Sequence, residues 1–164
     1  MKQSGLIRKG LSSLLHPQFV GEPMSDWVPP KSPFDLLQER YWPNDWKILV
    51  VCLMLNQTSR KQVEPMIELF FEKWPTALDA AQADEVEMRE VIRSLGMYNR
   101  RVKTIKNMSK QYLSGFKNAK DLYGCGKYAD DTYRIFMKGE WLDVEPEDHA
   151  LNDYHGWLKE MYSA

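Results

Sequence analysis

Apolar positions along the 164-residue chain recur mostly at spacings of three and four, and period-two alternation is scarce. The pattern predicts an all-α protein. Val28-Pro29-Pro30-Lys31-Ser32-Pro33 reads as a proline-stiffened extended approach, with Ser32 as N-cap and Pro33 opening a helix through about Arg40. Pro43-Asn44-Asp45 breaks the chain, and Asp45 is placed to cap an apolar helix from Trp46 to about Asn56. The apolar run Ile48 to Leu55 marks that helix as buried. A third helix is expected from Ser59 to Lys73, with Val63, Met66, Ile67, Phe70 and Phe71 on one face. Thr76 caps a short helix through Ala83, and Asp84 caps another from Glu85 to Ser94. Leu95-Gly96-Met97 reads as a helix stop with Gly96 left-handed, before a helix from about Arg100 to Ser114. A tight turn at Gly124-Cys125-Gly126 precedes a helix from Lys127 to Lys138, and after Pro146 a last helix runs from Asp148 to Tyr162.

Length allows one compact domain, placed over Trp27–Ala164, with residues 1–26 read as a tail or linker. No uncharged apolar run approaches the roughly 18 residues of a membrane span, and the charged N-terminus is a poor secretory signal. Cys52 and Cys125 lack paired spacing, and His16, His149 and His155 supply no ligand set, so neither metal nor cofactor is expected. A net charge of −1 argues against a polyanionic partner until its distribution is considered. Arg89 to Lys138 carries twelve Lys/Arg against four Asp/Glu, a local +8 that can neutralise phosphates or simply solvate a helical face.

Two constellations carry chemistry. In Leu122-Tyr123-Gly124-Cys125-Gly126-Lys127-Tyr128, glycines two apart permit a sharp hairpin whose amides, with the following helix N-terminus and Lys127, form an anion site. The same glycines could merely end a helix. In Pro146-Glu147-Asp148-His149, a carboxylate on a proline-stiffened loop suits stabilisation of a sugar cation, and it equally suits an N-cap; the two roles are compatible. His149 is assigned to a phosphate or to backbone.

Gly124-Cys125-Gly126-Lys127-Tyr128 followed by Pro146-Glu147-Asp148-His149 resembles the helix-hairpin-helix and aspartate loop of the endonuclease III superfamily of DNA glycosylases. The similarity is closer to the branch of the mismatch-specific domain of methyl-CpG-binding domain protein 4 and its plant relatives. It extends through Trp27-Val28-Pro29-Pro30-Lys31-Ser32-Pro33-Phe34, Leu37-Gln38-Glu39, Asp45-Trp46-Lys47, Leu55-Asn56-Gln57-Thr58-Ser59, Leu95-Gly96-Met97 and Tyr133-Arg134-Ile135-Phe136. The resemblance implies two helical subdomains with a DNA-binding cleft between them. It implies Asp148 as catalytic carboxylate, with Gln38 and Tyr128 lining the pocket of an everted pyrimidine.

Tyr128 falls where bifunctional relatives carry a Schiff-base lysine, so lysine-type strand cleavage is not expected. Lys127 projects about 100° away and is assigned to phosphate with Gly124 and Gly126. Met97 falls on the wedge that fills the vacated stack. Gln57 falls near the widowed guanine, where relatives often carry Arg or Lys, and Arg60 is the nearby cation that could compensate. The implied activity is monofunctional excision of thymine or uracil opposite guanine in duplex DNA, by a nuclear monomer with no membrane association. The alternatives are a sibling with another pyrimidine preference and a non-catalytic DNA-binding module.

Overall fold

The computed structural model describes residues 26–163, so the tail expected over residues 1–26 lies, apart from Asp26, outside the described residues. Among the described residues there is no strand. The helices are α1 (Leu37–Tyr41), α2 (Asp45–Leu55), α3 (Arg60–Lys73), α4 (Ala77–Ala81), α5 (Glu85–Ile92), α6 (Tyr98–Ser114), α7 (Lys127–Tyr133) and α8 (His149–Tyr162). None is long and apolar enough to cross a membrane.

The core is organised around α2, which is buried on every side from Ile48 to Met54 and packs against α1, α3, α6 and α7. Each aliphatic side chain so enclosed stabilises the fold by about 1.5–3 kcal/mol over exposure. A helix apolar all round therefore becomes the hub, while amphipathic helices lay one face on it. The stripe Val63, Met66, Ile67, Phe70 and Phe71 of α3 is buried as its spacing predicts, as are Val102, Ile105 and Met108 of α6. Trp46 and Trp74 lie in the core, and Trp141 and Trp157 pack partly buried against it. Ser59, Thr76 and Asp84 cap α3, α4 and α5 through their side chains.

Four local expectations change. Ser32 does not cap α1: Glu39 draws the preceding turn in instead, accepting from Ser32 N (2.8 Å), Ser32 Oγ (2.6 Å) and Leu36 N (2.9 Å). The helix consequently starts only at Leu37. Asn44, not Asp45, caps α2 by accepting from Lys47 N at 3.0 Å. Asp45 lies inside the first turn, buried, accepting from Tyr112 Oη (2.7 Å) and Tyr133 Oη (3.0 Å), and so ties α2 to α6 and α7. A buried carboxylate is costly without such donors, and tertiary partners outweigh the capping preference here. At the 96–97 corner, Gly96 takes φ 75° with an extended ψ of 169°, and Met97 itself is left-handed at φ 45°, ψ 38°. Finally, the hairpin at 124–126 is preceded by a single 3₁₀ turn, Ala119–Asp121, and α7 ends in a π-turn over Arg134–Lys138.

Candidate functional site

Two cavities flank the Leu55–Thr58 segment that leaves the C-terminus of α2. The first, about 210 Å³, brings together Gln38, Tyr128 and Asp148, with Phe34, Leu55 and Thr58 completing much of its wall. These residues come from α1, α7 and the start of α8. Gln38 is almost wholly buried, turned inward because α1 is a short helix pinned by Glu39. Its Nε2 donates to Tyr128 Oη at 2.7 Å. Burial chiefly, and the nearby charge of Asp148, push the Tyr128 hydroxyl well above the ordinary tyrosine range, so it keeps its proton. That oxygen accepts from Gln38, so its own hydrogen stays available to a further acceptor.

Asp148 is the N-cap of α8, and Oδ2 accepts from Leu151 N at 3.0 Å. Among the described residues, Oδ1 accepts no hydrogen bond, and Asp148 lines the cavity. Cap and cavity wall are thus one residue: the cap fixes the rotamer and leaves an oxygen free. His149 makes no backbone hydrogen bond through its ring among the described residues; it is solvent-exposed, 3.5 Å from Asp153. Behind the cavity the Cys52 thiol is pushed up to about 12 by burial, partly offset by Thr132 and Gln38 beside it, and stays protonated.

Lys127 points away from Tyr128, as helical geometry requires, but its ammonium is occupied. Nζ donates to Asp131 Oδ2 (2.6 Å) and to the Glu145 carbonyl (2.8 Å), joining α7 to the loop that carries Asp148. Asp131 holds the Lys127 pKa above its usual value. Arg60 lines the first cavity, and its guanidinium meets the Asp35 carbonyl (2.5 Å), Asp35 Oδ2 (3.5 Å) and Glu64 Oε2 (3.3 Å). It is therefore not placed with Gln57.

Gln57, Met97 and Gly124 line the second cavity, about 250 Å³, together with Asn56, Arg100 and Arg101. Gln57 is left-handed at φ 62°, and Met97, also left-handed, is 44% exposed at the apex of its corner, one of several exposed apolar side chains. Arg101 is buried and holds this corner to α2, donating to the carbonyls of Gly96 (2.9 Å), Met54 (3.3 Å), Leu53 (3.4 Å) and Leu95 (3.5 Å).

The hairpin leans on α6 beside this cavity. A Cβ at Gly124 (φ 78°) would fall 2.3 Å from Thr104 Cγ2, whereas one at Gly126 would meet nothing within 4 Å. Only the first glycine is required by the fold. In the basic segment, Arg89, Arg93, Lys127 and Arg134 are paired with carboxylates, while Arg100, Lys103, Lys110, Lys117 and Lys120 are exposed and unpaired among the described residues. Phe34 and Arg100 are among the wall residues that sequence reasoning missed, with Asn56, Arg101 and Asp153. An exposed aromatic beside Ser-Pro was the only signal for the first, and nothing distinguished Arg100 from its basic neighbours.

The sequence family described as HhH-GPD superfamily base excision DNA repair protein matches residues 50–155. A methyl-CpG-binding domain protein 4-like protein of Arabidopsis thaliana is 40% identical over 141 residues, spanning 85% of this chain and 32% of that protein. Thymine-DNA glycosylase of Aeropyrum pernix is 32% identical over 91 residues, spanning 51% of this chain and 41% of that one. The chain thus spans less than half the length of these curated relatives. The solved structure of a thermostable thymine-DNA glycosylase superposes with a TM-score of 0.58 at 20% identity, over 68% of this chain and 52% of that chain, which supports a shared fold. On this match, covering most of the helical region that holds Tyr128 and Asp148, the chain belongs to the HhH-GPD superfamily of base excision DNA repair proteins.

Proposed function

We propose that the chain is a monofunctional DNA glycosylase that hydrolyses the N-glycosidic bond of thymine or uracil mispaired with guanine. One observation carries the reading: Asp148, exposed and with one carboxylate oxygen outside its cap bond, lines a base-sized cavity together with the bonded pair Gln38–Tyr128. At about 210 Å³ the cavity is smaller than the ~300–1,000 Å³ typical of drug-sized pockets, and suits a single ring. Tyr128 donates to a pyrimidine carbonyl, and the Gln38 amide supplies the acceptor that an N3–H needs. Phe34 offers an aromatic face at the same wall. As the C1′–N1 bond breaks, its electron pair leaves with the base and positive charge grows on the sugar, opposite Asp148. Water then adds to C1′, and its proton passes by way of Asp148 to the departed pyrimidine anion, leaving a neutral base and an abasic sugar.

Strand cleavage through a lysine is not part of the proposal. Tyr128 has no amine, and the Lys127 ammonium is bound elsewhere. Duplex DNA as partner, eversion of the base with Met97 entering the stack, a monomeric state and a nuclear location belong to the same proposal. The curated relatives named for thymine and for thymine or uracil support the base preference.

The test is Asp148→Asn, which preserves the cap because asparagine caps helices as well as aspartate does. Base release from G:T and G:U duplexes should fall at least ~100-fold, the scale of losing one preorganised electrostatic partner, while DNA affinity persists. Retained release would overturn the role of Asp148. Binding without release by the unaltered chain would establish a non-catalytic module instead.

A further inference from the structure

The cavity that holds Met97 and Gln57 has a charge pattern unlike its neighbour's. The first cavity is walled by Asp148 and Asp153 as well as Arg60, whereas no carboxylate lines the second, where Arg100, Arg101, Asn56 and Gln57 gather. Arg101 faces only carbonyls and is fixed. Arg100 is exposed and has no hydrogen-bond or ion-pair partner among the described residues, in contrast to Arg40, Arg60, Arg93 and Arg134, each of which meets a carboxylate. It sits in the first turn of α6, a helix with no side-chain cap and no acidic residue in that turn. A cation at the positive end of an uncapped helix is unfavourable by about 0.3–1 kcal/mol for the isolated fold. The solvated Arg100 guanidinium is thus uncommitted and available to a hydrogen-bond acceptor that enters this cavity.

We propose that Arg100, acting across the cavity from Gln57, reads the guanine left opposite the excised base. The inference rests on the glycosylase reading above. Guanine presents O6 as an acceptor beside its N1–H and N2–H donors. Arg100 donates to O6, and the Gln57 amide oxygen accepts from the donor side. Adenine places an N6 donor where O6 would be, so a guanidinium there faces another donor. The cation that Gln57 lacks at its own position is supplied by α6, one helical turn beyond the Met97 corner. Arg60, three residues from Gln57 in sequence, is held on the other side of the loop by Asp35 and Glu64.

The experiment measures single-turnover uracil release by the 164-residue chain from duplexes with uracil opposite guanine and opposite adenine, and from single-stranded DNA. Wild type, Arg100→Ala and Arg100→Lys are compared. Pair stability is common to all three proteins and cancels when their guanine/adenine rate ratios are compared. Arg100→Ala should lower that ratio about tenfold, and Arg100→Lys should restore it only in part, because a lysine lacks the planar fork. A ratio unchanged within about twofold, or an equal loss on both duplexes that lysine fully repairs, as a phosphate contact would give, overturns the assignment. Absence of release by wild type from every substrate, single strand included, would instead defeat the glycosylase reading itself. Thermal melts, expected to match wild type for Arg100→Lys and to rise by up to about 3 °C for Arg100→Ala as the helix-end repulsion is relieved, separate these outcomes from misfolding.

Discussion

The two hairpin glycines should separate cleanly when each is replaced by alanine. At Gly124 an alanine must hold φ near 78° and bring its Cβ to 2.3 Å from Thr104 Cγ2, with Leu53 Cδ2 at 3.5 Å behind it. Left-handed backbone costs an L-residue about 1–2 kcal/mol. Forcing Thr104, a β-branched side chain on α6, to yield adds about 1–3 kcal/mol. The combined cost is about 2–5 kcal/mol, which at roughly 3 °C per kcal/mol for a domain of this size lowers Tm by about 6–15 °C. Gly126 has φ −122° and open space around it, so Gly126→Ala should change stability by less than about 1 kcal/mol. If the hairpin amides dock a DNA backbone as proposed, its effect should appear as weaker duplex binding. Circular-dichroism melts and fluorescence anisotropy with a labelled duplex read the two quantities. Thr104→Ser, which deletes Cγ2, should make Gly124→Ala about 1–3 kcal/mol less costly than it is in the wild-type background. Equal melting of the two alanine variants, or strict additivity between Gly124→Ala and Thr104→Ser, would refute the packing argument.

Lys127→Met should leave the fold intact but loosen the loop ahead of Asp148, slowing single-turnover base release about tenfold, with little change in duplex affinity. A salt dependence of binding reduced by about one ion, measured by anisotropy across salt concentrations, would mark Lys127 as a phosphate ligand instead. Cys52 gives a pH prediction. The folded thiol holds its proton to about 12, whereas an unfolded one releases it near 9.0, so its contribution to stability is complete below pH 9 and is lost as pH rises from 9 to 12. Melts between pH 8 and 11 should show Tm falling on the alkaline side, less steeply in Cys52→Ala; identical slopes would contradict the burial argument.

Much of this architecture was legible in the order of residues. Periodicity near 3.6 and side chains suited to capping set the helical class, and the apolar run Ile48 to Leu55 marked α2 as the hub, because local spacing decides which face a helix can bury. The spacing of Gly124, Gly126 and Asp148 marked candidate positions, and the family resemblance added Tyr128 and Gln38 to them. What spacing could not supply was competition between partners distant in sequence. Asp45 looks like a cap until Tyr112 and Tyr133 arrive from α6 and α7, and nothing in the spacing of Lys127 announces its bond to the Glu145 carbonyl. Ser32 loses its helix because Glu39 reaches back to it. Arg60 and Arg100 are equivalent as letters, yet tertiary packing surrounds one with carboxylates and leaves the other open beside Gln57 and Met97. Local periodicity determines where helices form, but the pairing of each polar group depends on which distant acceptor reaches it first, and only the folded chain decides that.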